Sequence, residues 1–159
     1  MGLIDEAVAL ERKAEAAYRL AAAATPDSGA RTILLLLADA EAEHVVALRG
    51  RKDVADLGSR NLIEAARTWV RGAVEGGGAL SSDADLLLAL RRAMDSERAT
   101  EAFYRIQGAT AGEARVRALF ASLADAEADH YRFVSSLVEY FNRPNEWVEA
   151  AEFGLRPEY

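Results

Sequence analysis

Residues 37–44 read Leu37-Ala38-Asp39-Ala40-Glu41-Ala42-Glu43-His44, and residues 123–130 read Leu123-Ala124-Asp125-Ala126-Glu127-Ala128-Asp129-His130. Seven of these eight positions are identical, at a constant offset of 86 residues. The same offset carries Glu11 to Glu97, Glu15 to Glu101, and Tyr18-Arg19 to Tyr104-Arg105. A register shared over so much of the chain implies two copies of one unit, related by a pseudo-twofold axis.

The unit is a helical hairpin. Proline occurs only at positions 26, 144 and 157, and the good helix formers Ala, Leu, Glu and Arg dominate. The sequence predicts a first helix from Leu3 to Ala24, stopped by Thr25-Pro26-Asp27-Ser28-Gly29. A second is expected from about Arg31 to Leu57, ending at Gly58. The third follows Ser81-Ser82-Asp83 and reaches Gln107 before Gly108; the fourth runs from about Gly112 to Phe141, before Pro144. Short turns within each pair make antiparallel neighbours. A crossover of about 59–83 joins the pairs, with an amphipathic piece (Leu62, Ile63, Ala66, Trp69, Val70) followed by Gly76-Gly77-Gly78. The expectation is an all-α, ferritin-like four-helix bundle over residues 1–141. The tail, 142–159, with Trp147, Phe153 and Tyr159, is expected to pack on the bundle or on a neighbouring subunit.

Composition bounds the function. A chain of 159 residues with 51% hydrophobic residues can bury one continuous core. Cysteine is absent, which excludes disulfides, thiolate metal sites and a cysteine nucleophile. A net charge of -7 argues against a nucleic-acid partner, since phosphate binding needs a basic surface. The opening MGLIDEAVALERK places acids where a signal peptide carries basic residues, and Ile33 to Ala38 is far short of the ~20 apolar residues of a membrane span. A soluble, cytoplasmic protein is expected.

The chemistry lies on the seams. Helix two presents Leu34, Leu37, Glu41, His44 and Leu48 at alternating three- and four-residue spacing. Helix four presents Phe120, Leu123, Glu127, His130, Val134 and Leu137. Both stripes should be apolar, and both are interrupted by Glu followed three residues later by His. Helix one carries Ile4, Val8, Glu11, Glu15, Tyr18 and Ala22, and helix three Leu90, Met94, Glu97, Glu101, Tyr104 and Gly108. Unpartnered carboxylates converging in a core would repel one another and cost several kcal/mol each. Two divalent cations resolve this, because four glutamates balance four positive charges and two neutral imidazoles complete the shell. Glu and His at i, i+3 lie about 60° apart on one helix face, so both can reach one ion. The alternative is a repeated bundle whose buried Glu and His pair with Arg. Tyr18 and Tyr104 are either core aromatics with satisfied hydroxyls or donors to the ligand carboxylates. Glu15 and Glu101 are expected to reach solvent or an Arg rather than a metal.

At Glu11-x-x-Ala14-x-x-x-Tyr18, Glu41-x-x-His44, Glu97-x-x-x-x-Phe103-Tyr104 and Glu127-x-x-His130, in that order, the chain resembles the rubrerythrin-like branch of the ferritin-like superfamily. The resemblance spans roughly residues 1–141. It implies two iron ions per chain, with Mn or Zn as substitutes in a purified sample. It makes Glu11, Glu41, Glu97 and Glu127 carboxylate ligands, Glu41 and Glu127 bridging, and His44 and His130 terminal ligands. It also implies oxidation of ferrous iron by peroxide or oxygen, in a homodimer or larger homo-oligomer. The departures are informative. Rubrerythrins proper carry a four-cysteine rubredoxin-like domain, absent here, so an external electron donor is expected. They also have an extra glutamate one turn beyond the ligand of the third helix, where this chain has Thr100 and then Glu101. Ala40 and Ala126 stand where di-iron hydroxylases and bacterioferritins commonly have Asp. Iron storage or handling, and a catalytically idle di-metal bundle, are the competing functions.

Overall fold

The computed structural model describes residues 2–50, 64–68, 71 and 84–152. Four long helices carry the fold: α1 (Leu3–Ala24), α2 (Ser28–Leu48), α3 (Ala84–Thr110) and α4 (Ala114–Glu152). Among the described residues there is no strand. The chain is an all-α, ferritin-like bundle of two hairpins, α1–α2 and α3–α4, each packed closely within itself and more sparsely against the other. No helix of the described residues is long and apolar enough to cross a membrane.

Sequence repetition becomes structural repetition at the turns. In the first hairpin Arg31 donates to the carbonyls of Thr25 (2.9 Å) and Pro26 (3.4 Å). In the second, Arg117 donates to Ala111 and Gly112, both at 2.8 Å. These carbonyls are left over where a helix ends, and a guanidinium with several donors can satisfy two at once. Asp27 caps α2 by accepting from the Ala30 amide at 2.7 Å, which starts the helix three residues before the expected Arg31.

Three helix ends differ from expectation. α2 stops at Leu48 rather than near Leu57, because Gly50 takes φ 69° and its amide bonds back to the Ala47 carbonyl at 2.9 Å. That left-handed closing turn is open to glycine at little cost. Residues 51–57 lie outside the described residues. α3 passes through Gly108 to Thr110. Gly108 is not a stop but a point of close approach, since a Cβ there would sit 3.1 Å from the Cβ of Phe120 on α4. α4 passes through Pro144 to Glu152. Proline removes one backbone donor, and the helix formers that follow sustain the remaining bonds. Residues 153–159 and most of the crossover lie outside the described residues. Within the crossover, 64–68 are helical and Ala66 packs against the core.

The core is divided into two apolar clusters. The upper one gathers Ala22, Ile33, Leu34, Leu90, Val134 and Leu137, and the lower one Ala7, Leu48, Leu119, Phe120 and Leu123. Leu48 at the end of α2 belongs to the lower cluster and Leu86 at the start of α3 to the upper, so the crossover joins opposite ends of the bundle. Each fully buried Leu, Ile or Phe contributes roughly 1.5–3 kcal/mol. The polar belt lies between the clusters.

Gly108 tests this packing. Gly108→Ala should be close to neutral, because a gain of about 1 kcal/mol in helix propensity offsets crowding against Phe120. Gly108→Val should lose about 1–3 kcal/mol in urea unfolding. Equal stability of the two variants would mean that α3 and α4 do not approach closely here.

Candidate metal centre

The buried stripes of α1 and α3 run through Ala7, Glu11, Ala14, Tyr18 and Ala22, and through Leu90, Glu97, Thr100, Tyr104 and Gly108. Ala14 and Thr100 therefore take the inward places that the alternating seam would give to Glu15 and Glu101. At 3.6 residues per turn a step of three turns about 60° one way around the helix and a step of four about 40° the other way, and the buried stripe runs on the Ala14 and Thr100 side of Glu11 and Glu97, which leaves Glu15 and Glu101 on the flank. Glu15 accepts from Arg19 Nε at 3.0 Å and Glu101 from Arg105 Nε at 3.0 Å. Each Arg also reaches across its hairpin, Arg19 to Asp39 at 3.0 Å and Arg105 to Asp125 at 3.1 Å. These two braces were not apparent among the surface charges of the sequence. The offset of 86, which relates all three members, is the signal that could have found them.

Six residues stay inside. Glu11, Glu41, His44, Glu97, Glu127 and His130 are each no more than 2% exposed. Nδ1 of His44 faces Glu127 Oε1 at 2.9 Å, Glu41 Oε2 at 3.2 Å and Glu11 Oε2 at 3.3 Å. Nδ1 of His130 faces Glu41 Oε1 at 3.2 Å, Glu97 Oε2 at 3.6 Å and Glu127 Oε2 at 3.9 Å. The geometry thus divides into two quartets. Each holds one imidazole, one outer glutamate (Glu11 or Glu97) and the same two central glutamates, Glu41 and Glu127. The imidazole rings lie nearly parallel, 12° apart, with centroids separated by 5.4 Å.

The tyrosines exchange partners between hairpins. Tyr18 on α1 donates to Glu97 on α3, and Tyr104 on α3 donates to Glu11 on α1. Burial, then the charge of the carboxylate it faces, pushes each hydroxyl above its ordinary pKa, so both keep their protons and act as donors. Tyr104→Phe would leave Glu11 Oε1 without its donor. It should cost about 1–3 kcal/mol in chemical denaturation, with a similar loss for Tyr18→Phe. No loss in either variant would show that the hydroxyls fill space only.

Protons alone satisfy this belt poorly. Burial, with the charge of Glu41 adding to it, lifts Glu11 to about 7 against the opposing pull of His44. Burial and the charge of Glu41 push Glu127 well above the carboxylate range. Burial also acts to raise Glu41, but attraction to the two imidazoles outweighs it and holds this carboxyl low. Burial acts to lower both histidines, yet their carboxylate neighbours win, taking His130 to about 9 and His44 well above its ordinary value. Even so, both oxygens of Glu41, Oε2 of Glu97, Oε1 of Glu127 and Nδ1 of His130 have no hydrogen-bond partner. One Nδ1 proton cannot serve three carboxylate oxygens. A cation can. Ligand atoms from Glu41, His44, Glu127 and His130 lie within 4.8 Å of one another, a cluster that could hold a metal ion. Oxygen and imidazole donors suit iron, manganese or zinc.

No curated protein and no solved structure matches the chain. The family model for rubrerythrin matches residues 3–138, a span that takes in both hairpins and the four glutamates and two histidines of the buried belt. With that match laid over a duplicated bundle that gathers Glu and His at its centre, the chain belongs to the rubrerythrin family.

Proposed function

We propose that the protein is a non-haem di-iron oxidoreductase of rubrerythrin type, which reduces peroxide or oxygen while ferrous iron is oxidised. The observation that carries this reading is the pair of quartets, in which each imidazole Nδ1 meets three carboxylates that no proton can satisfy together. Glu11 with His44, and Glu97 with His130, would each hold one ion from outside. Glu41 and Glu127, which face both imidazoles, would bridge the two. Two ferrous ions held there supply one electron each, enough to reduce one peroxide with two protons to two waters.

The residues around the centre have separate tasks. Both histidines must lose the proton on Nδ1 before that nitrogen can ligate, so loading releases protons. Tyr18 and Tyr104 keep theirs and orient the outer carboxylates. The apolar clusters above and below exclude bulk water. We propose that electrons come from an external donor and that the protein acts in the cytoplasm as a homodimer or larger assembly.

Anaerobic ferrous titration followed by peroxide tests the reading, with the bound metal identified by anomalous scattering. Two ferrous ions should bind per chain with similar affinity and oxidise together. Thr100, which is buried one turn beyond Glu97, keeps the two quartets alike. Thr100→Glu should therefore make the two sites unequal. A single ion per chain, or oxidation one ion at a time in the wild type, would refute the paired site. A large hollow assembly in sedimentation would favour storage instead.

A further inference from the structure

The repeat that makes the two quartets alike is broken in the groove between α1 and α3. Near the upper end this groove is an open cavity of about 290 Å³. Its walls are Ala17, Ala21 and Ala24 of α1 and Ala89, Ala93 and Ser96 of α3. The offset of 86 maps Ala17 onto Phe103, while Ala89 and Ser96 are the counterparts of Leu3 and Leu10. At the lower end, then, large side chains occupy the corresponding places. Phe103 packs there against Tyr104 and Phe120, with ring centroids 5.6 and 6.2 Å away, and Leu3 joins the same cluster. Small residues at three related positions leave the upper groove open.

Two polar features give the cavity a chemistry. Tyr18 lines it and is 3% exposed, and its hydroxyl is committed to Glu97. Among the described residues, Arg92 is the one charged residue that lines it, and it has no ion pair. Ser96 adds a hydroxyl on the same helix face, one turn further on. An apolar cavity of about 150 Å³ is already enough to hold benzene. This one has room for an aromatic ring and a polar head.

We propose that the upper α1/α3 groove is a binding site for a small carboxylic acid with an apolar body, its ring or short chain among the alanines and its carboxylate at Arg92. An uncharged body suits the alanine walls, and the guanidinium offers paired donors matched to a carboxylate. The bound molecule lies against Tyr18 and hence beside the Glu97 and His130 quartet, not beside the Glu11 and His44 quartet. That it acts there as a partner of the centre rests on the di-metal reading; that it binds does not.

Benzoate titrated into metal-free protein, followed by amide NMR, tests the site without any metal, with benzyl alcohol as the uncharged probe. Benzoate should shift the amides of Ala17, Ala93 and Ser96 saturably. Ala17→Phe, which copies the residue of the filled lower groove, should abolish this, and Ser96→Leu should do the same if the first variant is poorly folded. Arg92→Gln should weaken benzoate about tenfold, the loss of one charge-assisted contact, and leave benzyl alcohol within about twofold. The proposal is overturned by an absence of saturable shifts in the wild type, by unchanged binding in both filled variants, or by equal weakening of the two probes in Arg92→Gln. If benzoate does not bind and Ala17→Phe instead lowers the sedimentation coefficient, a second copy of the chain covers the groove and the proposal is likewise wrong. A protein that binds benzoate but takes up no ferrous iron would overturn the di-metal reading and leave this site standing.

Discussion

Alanine at position 41 should abolish tight binding of both metal ions, whereas alanine at position 97 should abolish one. Glu41 lies 3.2 Å from Nδ1 of His44 through one oxygen and 3.2 Å from Nδ1 of His130 through the other, so both quartets lose a member when it is removed. Glu97 approaches His130 alone, at 3.6 Å, and its other oxygen is held by Tyr18. Loss of an outer-shell partner typically costs 10–100-fold in metal affinity, so loss of a shared ligand should cost about 100-fold or more at each position. Ferrous titration with metal analysis after desalting measures this. Two ions retained by Glu41→Ala would remove Glu41 from the bridge. The same count for Glu97→Ala and Glu41→Ala would remove the distinction between outer and central carboxylates.

Without metal, the protein should lose stability as pH rises through neutrality, and metal should reverse that trend. Glu11 is raised from 4.5 to about 7 and His130 from 6.5 to about 9 on folding. Both groups bind more protons folded than unfolded over these ranges, so each contributes stability at low pH that is lost on deprotonation. The contribution of Glu11 fades between about pH 4.5 and 7. That of His130 is complete below 6.5 and gone above about 9. Glu41 acts in the opposite sense, but only in acid, since its carboxyl is held below the ordinary range. A shift of this size corresponds to about 3 kcal/mol for one group. Because the groups share protons, we expect on the order of 3 kcal/mol for the belt as a whole, or about 10 °C in Tm between pH 5.5 and 8.5. Loaded protein should instead gain from higher pH, because metal ions displace the same protons. Thermal unfolding with and without chelator decides the matter. Equal stability of the metal-free protein at the two pH values would mean that the belt is not a proton-compensated cluster.

The hydrophobic pattern of a single helix carries strong information about its own inward face. Glu41, His44, Glu127 and His130 occur in stripes that are otherwise Leu, Val and Phe, and a helix cannot turn those stripes inward without taking the polar residues along. The hairpins and their pairing were legible for a similar reason: repeated register and short turns leave few ways to pack two amphipathic pairs. Finer placements were not. Glu15 and Ala14, or Glu101 and Thr100, differ by one step of 100° around the helix, and either could complete an alternating seam on paper. Gly50 lies inside the run expected to continue to Leu57, and Gly108 stands where the third helix is expected to end. The first closes a helix and the second lets Phe120 approach, a difference that depends on what faces each residue.

By itself, then, the sequence determined that two related hairpins would form, and that four glutamates and two histidines would lie on their inner faces. The period of a helix is a local property, and burial of apolar surface turns that period into a direction. Only the tertiary structure decided that Tyr18 serves Glu97 and Tyr104 serves Glu11, and that Arg19 and Arg105 brace their hairpins through Asp39 and Asp125. Only it decided that equal ligand sets would sit beside unequal grooves, one filled by Phe103 and one left open at Ala17. Those outcomes depend on how far the helices are rotated and displaced against one another, which is set by side chains interlocking across the bundle and has no counterpart in the periodicity of any one of them.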